Sequence, residues 1–241
     1  VIIVILTLLF LTPVFYHLPK AVLAAIIMVA VFGLVNIKEA KFLWKANILD
    51  FWLMIATFFA TLFLGIEYGI ATGVALSLIV LIFRTSRPYN TELGKVPDSN
   101  FYKNKERFKD VVLDKDVLVF RFDAQLFYAN ATYFRDCLEE FAQTKSNLQL
   151  IVLDAESINR IDSTGVETLK ECVQFYKKRK VLFYFAGVKG PVRDVLFKSG
   201  ILNIITIHHF FMRVHDAVKF HKTGNRKRQE KYAQYIHQTF D

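Results

Sequence analysis

Residues 68–88, YGIATGVALSLIVLIFRTSRP, carry no charge until Arg84 and Arg87, and the chain changes character beyond them. The apolar part of about 16 residues makes a helix of about 24 Å at 1.5 Å per residue. That is slightly short of the ~30 Å hydrocarbon core, a gap that flanking residues or a locally thinner bilayer cover. Gly73 and Ser77, four apart, predict a face where another helix packs closely. Three similar apolar runs precede this one, which favours a membrane span over the core helix of a soluble protein. Only six of 31 basic and three of 22 acidic residues lie before Pro88, so an apolar, all-helical region gives way there to a polar domain.

The earlier runs divide at local breakers. Residues 1–15 form a first span, ended by Pro13 and Pro19 around YHLPK. Residues 21–35 form a second, with Gly33 near its end. The segment KEAKFLWK, residues 38–45, sets Phe42, Leu43 and Trp44 among three lysines and predicts a short interfacial piece. Residues 51–64 form a third span, and 65–69 a tight turn into the fourth. By the positive-inside rule, Arg84 and Arg87 place the C-terminal half in the cytoplasm. The lysine-bearing 38–45 connection then falls on the same side, and the 16–20 and 65–69 turns on the other. No ionisable residue lies within a predicted span, so a substrate path marked by such residues is expected in segments outside this chain. Val1 opens inside an apolar run with no initiator Met and no charged region before it. This is unlike a signal peptide and predicts the C-terminal piece of a longer protein.

Residues 88–110 are polar, with Gly94, Pro97 and several Asn and Lys, and read as a linker. From Val111 apolar runs alternate with helical periodicity, the signature of an α/β domain with a central sheet flanked by helices. Residues 117–122, 148–154 and 181–185 are nearly continuous apolar runs, as in strands covered on both faces. Residues 204–207 are a weaker edge candidate. Phe134, Cys137, Leu138 and Phe141 form one helical stripe, and Val166, Leu169, Val173 and Tyr176 a second. Val192, Val195 and Leu196 open a third helix stopping near Gly200, and Val214, Ala217, Val218 and His221 mark a last one. The domains are thus 1–87, spans; 88–110, linker; 111–222, α/β domain; and 223–241, a basic tail with Arg226, Lys227 and Arg228.

The sharpest motif is NRIDSTG, residues 159–165, between a strand and a helix. Thr164 and Glu167 have capping-box spacing, and Asp162 or Ser163 can also cap free backbone N–H groups. A functional role is open beside this structural one. Ser163, exposed at a helix N-terminus, is a candidate phosphate acceptor or contact point, because about −1.5 to −2 of charge there suits the helix dipole. Asp162, Ser163 and Thr164 are therefore the candidate regulatory residues. In AGVKGPVRD, residues 186–194, Gly190 and Pro191 predict a turn and a Pro-initiated helix. Its Gly spacing matches neither a Walker loop nor a dinucleotide fingerprint.

The net charge of +9 comes from lysines and arginines interleaved with acids, unlike a nucleic-acid footprint; lipid and solvent are the expected surroundings. Cys137 and Cys172 form no CxxC or zinc spacing and are expected as reduced packing residues. His208, His209, His215 and His221 lack metal-ligand spacing, and no serine, cysteine or carboxylate constellation marks a hydrolase. No metal or cofactor is expected. Asn130 to Thr132 matches a glycosylation acceptor that a cytoplasmic position leaves unused.

Taken in order, the motifs TPVFYHLPKAVLAAII (12–27), LWK (43–45) with Asp50, ATLFLGIEYGIATGVALSL (60–78) and RTSRP (84–88) resemble the SulP anion transporters. The soluble motifs FDAQLFYANATYF (122–134), IDSTG (161–165) and AGVKGPVRDVLFKSGIL (186–202) resemble the STAS domain that follows the spans in that family. The resemblance implies all-α transmembrane helices followed by an α/β STAS domain, within a fourteen-span fold of two inverted repeats whose core domain moves against a gate domain. It implies an inorganic anion as substrate, a homodimer and a plasma-membrane protein, at the inner membrane in a bacterium, with the STAS domain cytoplasmic and open to a regulatory protein. By position the chain corresponds to the end of the last core helix, three gate helices and the STAS domain. The family's anion site lies upstream, so no substrate residue is assigned in this chain. STAS resemblance also extends to bacterial anti-sigma-factor antagonists, whose phosphorylated serine corresponds to Ser163. The competing readings are a membrane-tethered signalling module switched at Ser163, and a membrane-bound enzyme, for which this chain offers no ligand cluster.

Overall fold

The computed structural model describes residues 4–5, 20–32, 36–224 and 230, so the predicted first span apart from 4–5, and the basic tail apart from 223–224 and 230, lie outside the described residues. The chain divides into two compact units, Val1–Leu78 and Ile79–Asp241.

The first unit contains α1 (Lys20–Phe32), α2 (Ile37–Ala46), α3 (Ile48–Leu64) and most of α4 (Ile66–Ser86). Asn36 caps α2, accepting from the Glu39 N–H at 3.1 Å. Asn47 caps α3, accepting from the Leu49 N–H at 3.2 Å and donating to Asp50 Oδ2 at 2.8 Å, so Asp50 belongs to a helix cap. Among the described residues α4 is the one helix long and apolar enough to cross a membrane; α1 and α3 are apolar but shorter. At 21 residues α4 extends about 32 Å. Large apolar side chains stand exposed along both helices, among them Trp52, Phe59 and Phe63 on α3 and Ile70, Val74 and Leu78 on α4. Such surface calls for lipid or for further helices against it.

The turn expected over residues 65–69 contracts to Gly65, whose φ of 92° and N–H to the Thr61 carbonyl end α3. Gly69 is already helical and buried. A Cβ on it would lie 2.1 Å from Thr61 Oγ1 and 2.6 Å from Thr61 Cα. A Cβ on Gly73 would lie 3.0 Å from Thr57 Cγ2. The close-packing face therefore runs through Gly69 and Gly73, one turn earlier than the Gly73 and Ser77 pair suggested.

In the second unit a six-stranded sheet has the order β2-β1-β3-β4-β5-β6. Its strands are β1 (Asn90–Lys95), β2 (Tyr102–Asn104), β3 (Val117–Phe122), β4 (Leu150–Asp154), β5 (Leu182–Ala186) and β6 (Phe210–Phe211). β1 pairs antiparallel with β2 and β3, while β3 to β6 run parallel. The crossovers are α5 (Ala131–Gln143), α6 (Ser163–Lys178) and α7 (Gly190–Lys198), and α8 (Val214–Thr223) closes the chain's described part. Phe120, Phe122, Ile151, Leu153, Phe183 and Phe185 bury one sheet face against α5, α6 and α7. Val119, Val152 and Tyr184 bury the other against Val214, Ala217 and Val218 of α8. With both faces covered, β4 is buried at every position, as its unbroken apolar run predicts.

Two expectations are corrected here. The 88–110 linker contains strands β1 and β2, because its polar residues find partners: buried Glu92 pairs with Lys105 at 2.8 Å and Lys145 at 2.5 Å, and buried Thr91 donates to Asn104 at 3.0 Å. The edge strand expected at 204–207 lies instead at β6. Gly200, at φ 82°, stops α7, and Ile201 and Ile205, spaced as in a helix, bury themselves around a 3-10 turn.

Candidate functional site

The C-terminal ends of β3, β4 and β5 carry three loops, 123–130, 155–162 and 187–189, at one edge of the sheet. In open α/β sheets this edge is where ligands and partners are met. The 125–128 and 160–162 segments are knitted by a bridge between Leu126 and Ile161. The Leu126 N–H donates to the Arg160 carbonyl at 3.0 Å, and the Asp162 N–H to the Leu126 carbonyl at 3.2 Å. Between them lies a cleft of about 220 Å³ lined by Gln125, Leu126, Phe127, Arg160, Ile161 and Asp162.

Asp162 is the N-cap of α6. Its Oδ1 accepts from the Gly165 N–H at 2.8 Å and its Oδ2 from the Tyr128 N–H at 3.0 Å. One carboxylate thus caps a helix and fixes the neighbouring loop, and its negative charge complements the helix dipole. Gly165 is required for that fit: a Cβ there would stand 2.6 Å from the Leu126 carbonyl oxygen. Ser163 and Thr164 open the helix and are exposed. The Thr164 and Glu167 capping box does not form, since Asp162 takes the cap and Glu167 pairs with Lys170 at 3.6 Å. Of the three candidates, then, Asp162 is structural cement and Ser163 and Thr164 face outward beside its charge.

Asn130, predicted only as an unused glycosylation acceptor, proves to be a buried hub, 1% exposed. It is the N-cap residue of α5. Its Oδ1 accepts from the Phe127 N–H at 3.0 Å, and its Nδ2 donates to the carbonyls of Gln125 at 2.9 Å and Thr85 at 3.3 Å. The signal available in the sequence was its place immediately before the Phe134 stripe, where a helix cap belongs.

Asp154 ends β4 in register with Arg121 of β3, and the sequence reading gave it no role. Burial pushes its carboxyl up from 3.8 to about 6; the charge of Glu156 and, more weakly, Asp123 act the same way, while the Glu156 N–H and Arg121 oppose. Arg121 is itself engaged by Asp123, Nε to Oδ1 at 2.8 Å, which limits what it lends Asp154. Burial raises the Cys172 thiol to about 12 and pushes the Cys137 thiol up, and both are buried and free of disulfides. His209 packs edge-on to Tyr184 at 5.3 Å, and burial lowers its pKa. Among the described residues no three His, Cys, Asp or Glu side chains converge as metal ligands. Lys189 reaches across from the third loop to hydrogen-bond Asn159 Oδ1. α7 starts behind Lys189 with Pro191 in its first turn, as AGVKGPVRD predicts.

Residues 1–57 match the model of the sulfate permease family, and residues 108–217 match the model of the STAS domain. Sulfate transporter 4.1, chloroplastic, of Arabidopsis thaliana is 35% identical over 223 residues, covering 88% of this chain and 33% of that protein. High affinity sulfate transporter 2 of Stylosanthes hamata is 32% identical over 226 residues, covering 90% of this chain and 34% of the relative. The chain spans about a third of the length of these curated relatives. Among solved structures, the murine Solute Carrier 26 family member A9 anion transporter in the inward-facing state superposes with a TM-score of 0.74. It is 28% identical, over 91% of this chain and 36% of the other. Membrane helices of the sulfate permease type followed by a STAS domain, in that order on one polypeptide, place the chain in the SulP family.

Proposed function

We propose that this chain serves a secondary anion transporter, supplying membrane helices to its gate and a STAS domain that regulates or assembles it. The observation that carries this reading is collinearity: relatives named as sulfate transporters align across the permease segment, α4 and the STAS domain without a break in order. The close-packed Gly69 and Gly73 face and the exposed apolar surfaces of α3 and α4 support a place within a larger helical bundle. The substrate is an inorganic anion such as sulfate, bicarbonate or chloride. The assembly is a homodimer in a plasma membrane, the inner membrane in a bacterium, with the STAS domain in the cytoplasm. The exposed Ser163 and Thr164, beside the charge of Asp162, are the contact point for a regulatory protein or a phosphate.

The test is anion flux into proteoliposomes holding the full-length protein, with sulfate, bicarbonate and chloride offered separately. Saturable uptake of one of them is expected. Absence of flux for all three, with folded protein in the membrane, would sink the transport reading and favour a tethered STAS module. Flux unchanged in both Ser163→Ala and Ser163→Asp would reduce the 161–165 loop to a helix cap.

A further inference from the structure

Residues 79–86 of α4 belong to the same compact unit as the sheet, and the last turn of that helix has an incomplete hydrogen-bond ladder. A helix end leaves its final carbonyls without partners inside the helix. Here the helix stops at Ser86, so residue 89, which would serve the Thr85 carbonyl in a longer helix, lies beyond it. The Thr85 carbonyl takes its donor from outside, from Asn130 Nδ2 at 3.3 Å. The connector beyond is tied to α5: Asn90 Nδ2 donates to the Pro88 carbonyl at 3.4 Å and to Tyr133 Oη at 3.1 Å. The far side of the Asn130 loop is fastened to Asp162 through the Tyr128 N–H. Between the two fastenings, Tyr128 and Asn130, lies the single residue Ala129, and the Phe127 N–H is held by Asn130 itself.

We propose that Asn130 and Asp162 form a hydrogen-bonded relay that joins the 161–165 loop to the C-terminal turn of α4, with Asn130 as the positioning residue for that turn. A charge change or contact beside Asp162 competes for its carboxylate, frees the Tyr128 N–H, and so loosens the loop from which Asn130 reaches Thr85. The relay uses two side chains, and the acceptor of Asn130 can be kept while its donor is removed, which makes it testable.

The measurement is hydrogen exchange of the full-length protein in detergent. In the unaltered protein, the amides of Arg87, Phe127, Tyr128 and Gly165 are expected to open together, with one common dependence on low denaturant, as a cooperative unit does. Independent fraying of Arg87, insensitive to denaturant, would overturn the relay without any variant being made. Asn130→Asp keeps the acceptor for Phe127 and removes the donor to both Thr85 and Gln125. It is expected to speed exchange at Arg87 about three- to tenfold, the order of one lost hydrogen bond, with Gly165 moving in the same direction. Asp162→Asn is expected to speed exchange at Tyr128 and Gly165 and, by a smaller factor, at Arg87; an unchanged Arg87 in that variant overturns the relay. The consequence for flux rests on the transport reading. Altered sulfate uptake in Asn130→Asp is expected if both hold, whereas exchange effects without any uptake in the unaltered protein would retire the transport reading and leave the relay standing.

Discussion

Replacing Asp154 by asparagine should flatten the pH dependence of the STAS unit's stability. The carboxyl ends a buried strand, 6% exposed, with Arg121 opposite but committed to Asp123. Its folded pKa of about 6 stands about two units above the ordinary value of 3.8. At 1.36 kcal/mol per unit, the ionised form costs about 3 kcal/mol at pH 7. The sign follows from linkage. A raised carboxyl pKa means the folded state holds the proton where the unfolded chain has lost it. Stability therefore falls as pH rises from about 4 to about 6 and levels off above. Between pH 5 and pH 7 this one group removes about 1 kcal/mol. The asparagine form keeps an acceptor for the Glu156 N–H, which lies 3.3 Å from Oδ1, and has nothing to ionise. The assay is urea unfolding of residues 88–224 by far-UV circular dichroism at pH 5, 6 and 7, since both tryptophans, Trp44 and Trp52, lie outside that region. The quantity to compare is the change in unfolding free energy with pH, unaltered minus variant, which cancels every other titrating group. Equal slopes, or a protein that gains stability between pH 5 and 7 only when Asp154 is present, would refute the account of burial as the dominant cause.

Asp162→Ala should cost about 1–2 kcal/mol in the same urea experiment, as a lost N-cap does, because the Gly165 and Tyr128 N–H groups lose their acceptor. Ser163→Ala and Thr164→Ala, both exposed, should stay within about 0.5 kcal/mol; equal losses across the three would contradict the assignment of the cap. Gly69→Ala should lower the melting temperature of the full-length protein in detergent, since its Cβ meets the Thr61 backbone at 2.6 Å. Gly190→Ala, where a Cβ meets nothing within 4 Å, should leave that temperature nearly unchanged. Cys172, raised to about 12, should resist iodoacetamide at pH 8 until urea unfolds the domain, because only the thiolate reacts; rapid labelling of the native protein would show the thiol to be accessible and ionised.

Features set by short-range periodicity were legible in the chain. The uncharged run ending at Arg84 becomes α4, the apolar runs become β3, β4 and β5, and the four stripes become α5 to α8, because one-dimensional spacing dictates which face each element can bury. Strands β1 and β2 were hidden by their composition. NTELGK and YKN read as loop until Glu92 meets Lys105 and Lys145 and Thr91 meets Asn104, partners up to 53 residues away. At the candidate site the motif around Ser163 stood out, yet the roles within it did not. Several residues of IDSTG have capping chemistry, and only the approach of the Tyr128 and Gly165 amides selects Asp162.

The sequence by itself therefore determined the order of the apolar helical region and the α/β domain, the class of the strongly periodic elements and the family, all of which rest on local pattern and motif order. The tertiary structure alone decided the functions of Asn130 and Asp154. An asparagine before a helix and an aspartate ending a strand are common tokens in one dimension. What makes the first a hub is the carbonyl of Thr85, 45 positions earlier, and what raises the pKa of the second is the burial its place in a doubly covered sheet imposes. Both depend on which groups lose water when distant segments meet, and no local spacing records that.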